Sequence, residues 1–248
     1  MINKNTLQSF ISKYNLSDVM NQTRWKIKDN TMQVHVGNSQ FAANVLLNSF
    51  PLNDGELGIY DSNKLAKLVG ITSNELLLST ESHGSLSNKL NISDSNFELS
   101  YSLADPLVIP RIEYPTNEEW HLEIDLERDD IDNLIKAKNA LVDSDLFSLK
   151  GVANLDGDTV LEFVFGDDSN FASKVNYQIS TPIDNKFANM DIQFSANNLK
   201  EVLNANKDSD ATKFSLHYGD FASMIKIEFN TEEIISIYKM SQKENNQF

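Results

Sequence analysis

Along this chain the apolar positions switch repeatedly from a period of two to a period near four, and the switch is sharpest from Leu122 to Ala137, LEIDLERDDIDNLIKA. Leu122, Ile124 and Leu126 alternate and share one face of a strand, whereas Ile131, Leu134 and Ile135 stand at i, i+3 and i+4 and form one stripe of a helix. The spacing predicts a strand that runs straight into a helix packed on the sheet. The pattern recurs at Met190, Ile192 and Phe194, followed by Leu199, Val202 and Leu203. Towards the N-terminus, Leu57 to Tyr60 precedes Leu65, Leu68 and Val69, and Ile2 precedes Leu7, Phe10 and Ile11. Four residues before each leading apolar position stand Asn3, Asp61, Glu127 and Ser195. All but Glu127 are good N-caps, because their side-chain oxygens accept from the free amides of the first turn.

Short alternating stretches fill the intervals. In the first half they are Arg24 to Lys28, Met32 to Val36 and Phe41 to Leu47, then Leu76 to Thr80, Ser85 to Ile92 and Phe97 to Leu103. Asp29-Asn30 and Gly37-Asn38 are hairpin signals between them. The second half repeats the plan from Trp120, with strands predicted at Leu146 to Ala153, Thr159 to Phe165, Lys174 to Ser180, Lys213 to Tyr218, Met224 to Asn230 and Glu233 to Met240. Between the halves, Asp105 to Glu119 holds three of the five prolines and has neither period, which reads as an extended connector. The expected organisation is α+β: two similar domains, 1–105 and 120–248, each with two helices packed on antiparallel sheets, joined by residues 106–119. Leu107, Val108, Ile109 and Ile112 are apolar within that connector. Either they pin it to the domain beneath or they meet a partner.

Composition narrows the function. There is no Cys, which excludes disulfides, thiolate metal sites and cysteine nucleophiles. The N-terminus lacks the apolar run of a signal peptide and no stretch is long enough to span a bilayer, so a soluble intracellular protein with no membrane partner is expected. His35, His83, His121 and His217 lack metal-site spacing, and Asp156-Gly157-Asp158 and Gly166-Asp167-Asp168 read as turns and not as a calcium loop. No phosphate loop, nucleophile elbow or Ser/His/Asp pattern is present, so neither catalysis, metal nor cofactor is expected. A formal charge of −15 opposes a general nucleic-acid coat unless the cations are segregated.

Segregation is what the helices predict. Counting from each leading apolar residue, Lys200 stands at +1, Lys67 at +2, Lys136 at +5, Lys13 at +6 and Lys207 at +8, all away from the core stripe. Every helix is thereby expected to expose a cation, while loops and turns hold most of the 36 acidic residues. Asp132 and Glu201 interrupt the pattern, and an ordinary solvated face remains the alternative to a phosphate-facing one.

Four strand-helix units in two halves, a proline-rich connector and basic helices together resemble the DNA polymerase sliding clamps, in the short two-domain form of T-even-type bacteriophages. The resemblance spans essentially the whole chain and rests on the order and spacing of Gly58 to Asn63, Asp125 to Leu134, Phe187 to Met190 and the terminal Phe248. It implies a head-to-tail homotrimeric ring in the cytoplasm of an infected host cell. Helices would line a channel for double-stranded DNA without reading its sequence. DNA polymerase, a clamp loader and transcription factors are the implied partners, and there is no catalytic activity. Carried over residue by residue, the DNA-facing cations are Lys13, Lys67, Lys136 and Lys200, with Lys4, Lys64, Arg128, Lys138 and Lys207 behind them. Leu107, Val108, Ile109 and Pro110 with Tyr238 and Met240 would make the partner pocket. Phe97, Leu99 and Tyr101 would meet Val175 and Tyr177 of the next subunit. The acidic stretch Asp129, Asp130 and Asp132 departs from a basic lining. The competing expectation is an acidic, β-rich phage structural or assembly protein that never touches DNA.

Overall fold

The computed structural model describes residues 1–16, 21–84, 86–112, 114, 119–166, 173–219 and 222–243. Pro115, Asp168, Phe248 and the first residue of the stretch predicted from Ser85 lie outside the described residues. The chain divides into two compact units, Met1–Pro115 with Asn230–Ile237, and Thr116–Phe229 with Tyr238–Phe248.

In the first unit the elements are β1 (Ile2–Asn3), α1 (Lys4–Tyr14), β2 (Thr23–Lys28), β3 (Thr31–Gly37), β4 (Phe41–Leu47), β5 (Gly55–Ile59), α2 (Ser62–Gly70), β6 (Glu75–His83), β7 (Leu86–Ser93) and β8 (Glu98–Ser102). Two antiparallel orders result, β5-β2-β3-β4 and β1-β6-β7-β8, the second ending on the edge strand β8. The β2–β3 turn places Asp29 and Asn30 at φ of 50° and 60°, the left-handed pair that matches the twist of a two-residue hairpin. Helices α1 and α2 lie side by side, and α1 also packs on β3 and β4. Its stripe of Leu7, Phe10, Ile11 and Tyr14 is buried. Phe10, Tyr14, Trp25 and Phe50 meet edge to face, and Trp25 Nε1 donates to Tyr14 Oη at 3.1 Å.

The second unit holds β9 (Leu122–Leu126), α3 (Arg128–Ala140), β10 (Leu146–Ala153), β11 (Thr159–Gly166), β12 (Lys174–Pro182), β13 (Asp191–Ser195), α4 (Ala196–Ala205), β14 (Ala211–His217), β15 (Met224–Asn230) up to Phe229, and the part of β16 (Ile234–Ser241) from Tyr238 onward. Its strands run in the orders β12-β11-β10-β13 and β16-β15-β14-β9. Here too an edge strand, β12, closes one order. Helices α3 and α4 pack together, α3 on β11 and β12, and α4 on β10. Phe147 gathers Phe163, Phe165 and Phe194 at centroid distances of 5.6, 5.7 and 5.7 Å.

All four expected caps precede their helices. Asn3, Asp61 and Ser195 accept from the backbone N–H of Asn5, Lys64 and Asn198. Glu127, the poor cap, is helped by its neighbour, for the Asp130 carboxylate takes the Glu127 backbone N–H at 2.9 Å. The connector differs from the extended expectation at its start, where Pro106–Val108 form a 3-10 turn capped by the Asp105 side chain.

Gly58 is where the connector's approach is fixed. A Cβ there would lie 2.3 Å from the Ala104 carbonyl oxygen and 3.2 Å from Ile109 Cδ1. The Gly58 carbonyl also accepts from the Ala104 N–H at 2.9 Å. Gly58→Ala is expected to lower stability by about 1–3 kcal/mol, the usual range for overpacking, measured by urea unfolding. Gly55→Ala, with nothing within 4 Å, should change little and serves as the control.

Candidate functional site

The helices, of 11, 9, 13 and 10 residues, carry eight of the 21 Lys and Arg but only four of the 36 Asp and Glu. The enrichment is uneven. Helices α1 and α2 contain Lys4, Lys13, Lys64 and Lys67 and no carboxylate. Helix α3 balances Arg128, Lys136 and Lys138 with Asp129, Asp130 and Asp132, and α4 balances Lys200 with Glu201.

Exposure sorts these cations differently from helical projection. Lys64, Lys67 and Lys136 are exposed, and Lys200 is half-buried. Lys13 is buried at 1 % exposure, which corrects its placement on an open face. A projection has only two sides, whereas α1 has β3, β4 and α2 on different flanks. Lys4 is half-buried, and its Nζ donates to the carbonyls of Gly70 and Thr72, at 2.8 Å each, closing the end of α2. Helix α1 therefore exposes no cation, contrary to the expectation for every helix. Lys138 is also buried: at +7 from Ile131 it returns to the core stripe, and its Nζ donates to Leu141 and Val142 carbonyls at the end of α3. Burial, with Lys200 nearby, pushes the Lys138 pKa down. Arg128 and Lys207 are exposed but line a cavity of about 380 Å³ with Asp125, Glu127, Asp132 and Asp210, which offset their charge.

One acidic residue of the helical layer has an internal use. Besides capping α3, Asp130 accepts from Tyr177 Oη at 2.7 Å and so ties the helix to the edge strand β12. Burial and this carboxylate hold the Tyr177 hydroxyl above its ordinary pKa.

The residues expected to meet a neighbouring subunit lie on or beside open edges. Leu99 on β8 and Val175 and Tyr177 on β12 are half-buried, and Phe97, just before β8, is exposed. Tyr101 is instead buried, its hydroxyl donating to the Asp61 carbonyl at 3.1 Å and accepting from the Asp61 N–H at 2.9 Å. That side chain holds the start of α2 and offers no free surface.

The expected partner surface separates in the same way. Leu107 and Val108 are 78 % and 71 % exposed and Pro110 is exposed, but Ile109 turns into the core of its unit. Tyr238 and Met240 are buried in the second unit, because even-numbered positions of β16 point inward. Tyr238 Oη accepts from Asn206 Nδ2 at 2.9 Å, a fixed internal partner. These three therefore line no open surface of their own units.

Two histidines far apart in sequence do meet. Antiparallel pairing of β9 with β14 brings His121 and His217 to 4.9 Å between centroids. His217 Nδ1 donates to the Glu119 carbonyl and His121 Nδ1 accepts from the Tyr218 N–H, so local hydrogen bonds use both rings. Among the described residues no group of three or more His, Asp or Glu could hold a metal ion. The Asp156-Gly157-Asp158 stretch is a turn in which the N–H groups of Asp156 and Asp158 both donate to Asn154 Oδ1.

Comparison with known proteins bears on the fold. No family model matches the chain, and no curated protein matches it either. Solved structures do. The proliferating cell nuclear antigen of Entamoeba histolytica is similar with a TM-score of 0.72 at 14 % identity, over 98 % of this chain and 96 % of that one. A structure of the C-terminal region of FEN-1 bound to A. fulgidus PCNA gives a TM-score of 0.73 at 12 % identity, over 99 % of this chain and 98 % of the other. The chain thus has the α+β fold of the two-domain clamps, with four helices and antiparallel sheets.

The turn before the edge strand β8 supplies a pH test. Asp94 accepts from the N–H groups of Asn96 at 2.7 Å, Phe97 at 2.6 Å and Ser73, and these bonds hold its pKa down to about 2. A depressed carboxylate stabilises the fold above the ordinary range and loses that contribution as pH falls from about 4 towards 2. Asp94→Asn should lower the melting temperature at neutral pH, and the gap to wild type should close across that window. A gap that stays constant with pH would show that the carboxylate charge does not hold the turn.

Proposed function

We propose that this chain is a sliding clamp: three copies join head to tail into a ring that encircles duplex DNA and tethers a replicative polymerase. It acts without catalysis of its own. Within that class it is assigned to the short two-domain type of T-even-type phages, working in the cytoplasm of an infected cell, opened by a clamp loader and available to transcription factors. The observation that carries the reading is the division of charge. A chain of net −15 keeps α1 and α2 free of carboxylate and α3 and α4 balanced, on the fold of the clamps. Topological linkage needs no tight contact, so a loose, sequence-blind attraction to phosphate suffices and permits sliding. An acidic assembly protein with no nucleic-acid partner has no use for this segregation.

The DNA-facing set is accordingly Lys64, Lys67, Lys136 and Lys200, with Arg128 and Lys207 contributing less and Lys4 withdrawn to the end of α2. Reversing the four to Glu should shift stability by no more than about 0.5 kcal/mol for each of the exposed positions Lys64, Lys67 and Lys136. It should reduce loader-driven loading, retention on circular DNA and the length of processive synthesis. Higher salt should weaken the wild type in the same direction, because each counterion released into a saltier solution gains less entropy. Equal retention and processivity across a salt series would make these lysines an ordinary solvated face.

Ring closure is assigned to β8 of one copy pairing with β12 of the next, since both are edge strands with open backbone groups. Light scattering should give three times the 28.0 kDa chain mass. Leu99→Asp or Val175→Asp should lower that mass while leaving the circular dichroism spectrum intact. A monomer at high concentration and low salt would end the ring model. Partner proteins are assigned to the connector side, through Leu107, Val108 and Pro110. The A. fulgidus protein of the same fold, bound to a C-terminal region of FEN-1, supports a peptide mode of docking.

A further inference from the structure

We infer that the polar face of β2 and β3, walled by the connector, is a cationic subsite that takes the carboxylate of an acidic, partly apolar peptide segment from a partner protein. The inference rests on the connector-side docking proposed above and gives it a chemistry. Strand parity builds the floor. Trp25, Ile27, Val34 and Val36 enter the core, so Arg24, Lys26, Gln33 and His35 face the other way. Lys26 pairs in register with Glu56 on one side and Gln33 on the other. Pro110, Arg111 and Ile112 form the wall, and the cavity beside it is about 340 Å³.

Among the described residues, three cations, Arg24, Lys26 and Arg111, meet there against the single carboxylate of Glu56, in a chain of net −15. His35 adds polarity without charge, since burial lowers its pKa. Arg24 is the most informative. Its Nε donates to the Ile109 carbonyl at 2.8 Å and its Nη2 donates to the same oxygen, which anchors the connector. Its Nη1 is buried and makes no hydrogen bond to any described residue, and Glu56 Oε2 stands 3.9 Å away, beyond hydrogen-bond reach. A buried guanidinium N–H without an acceptor is costly, and an incoming carboxylate would satisfy it with a charge-assisted bond. Leu107 and Val108, exposed three and two residues before Pro110, supply the apolar half of the contact. A nucleic-acid strand would use the cations but not these side chains, so a peptide is favoured.

The test is selection from a displayed library of random dodecamers on the wild-type protein and on the K26E/R111E variant, whose altered side chains are both exposed. The expected wild-type winners carry Asp or Glu beside an apolar residue. The most enriched sequence, made as an end-capped peptide, should bind the variant at least about tenfold more weakly by fluorescence anisotropy. It should lose as much on wild type when its Asp and Glu become Asn and Gln. Enrichment without acidic residues, or equal affinity for both proteins, would overturn the inference. So would displacement of the peptide by a twenty-nucleotide oligo(dT) that loses affinity for the variant in parallel, which would assign the subsite to phosphate. Trimer mass and retention on circular DNA should be unchanged in K26E/R111E. Failure of the peptide selection with those two intact sinks the subsite alone, whereas their failure in the wild type sinks the clamp.

Discussion

The burial of one helical stripe against antiparallel strands is the constraint on which the rest of this structure depends. Because each helix must turn Leu, Ile or Val towards a sheet, its other flanks are committed in advance, and cations are tolerated only on what remains. In α2 that remainder is open, and Lys64 and Lys67 reach solvent. In α1 the flank is closed by its neighbours, and Lys13 is buried. The basic character of a helix and the basic character of its accessible face are thus separate properties, linked only through packing.

This separation explains how much of the molecule was legible in its sequence. Strands such as Phe41–Leu47, Leu146–Ala153 and Met224–Asn230 fall where alternation placed them, and all four caps stand where spacing put them. Those are local signals, carried by period and by side chains a few residues apart. What local reading missed is nonlocal. The meeting of His121 with His217 exists only because β9 pairs with β14. The inward turn of Ile109 depends on Gly58, which leaves room for it, and on Arg24, which holds its carbonyl. Lys138 is the exception that arithmetic could have caught, since +7 completes two turns and returns to the buried stripe. The cationic cavity under the connector was invisible for a related reason. Its members come from β2, β3, β5 and residues 110–112, and no spacing brings them together.

Carboxylates in this acidic chain are not interchangeable background. Asp130 serves the first turn of α3 and the Tyr177 hydroxyl together, and Asp94 collects three backbone N–H groups before β8. Both sit beside the edge strands β8 and β12. An open edge gains definition when the turn or helix next to it is fixed, because a slip of one residue would reverse every side chain on it. Asp94 and Asp130 therefore set the geometry of the edges and are not free to shape the field at the helices.

The two units solve the helical problem with different degrees of charge purity, and the difference has a physical rationale. Helices α1 and α2 carry no acid, but two of their four lysines are spent internally, Lys4 on the end of α2 and Lys13 in a buried position. Helices α3 and α4 carry four acids, of which Asp130 is consumed by hydrogen bonds. Counting only exposed or half-buried groups without a structural task, the excess of cations in the first unit falls from four to two, while the second stays balanced, with Lys138 buried and Asp130 committed. The accessible fields of the two helix pairs are consequently closer to one another than their sequences are. A weak and even field is what loose attraction to a uniform phosphate backbone requires, because a strongly cationic sector would bind phosphate tightly and slow movement along it.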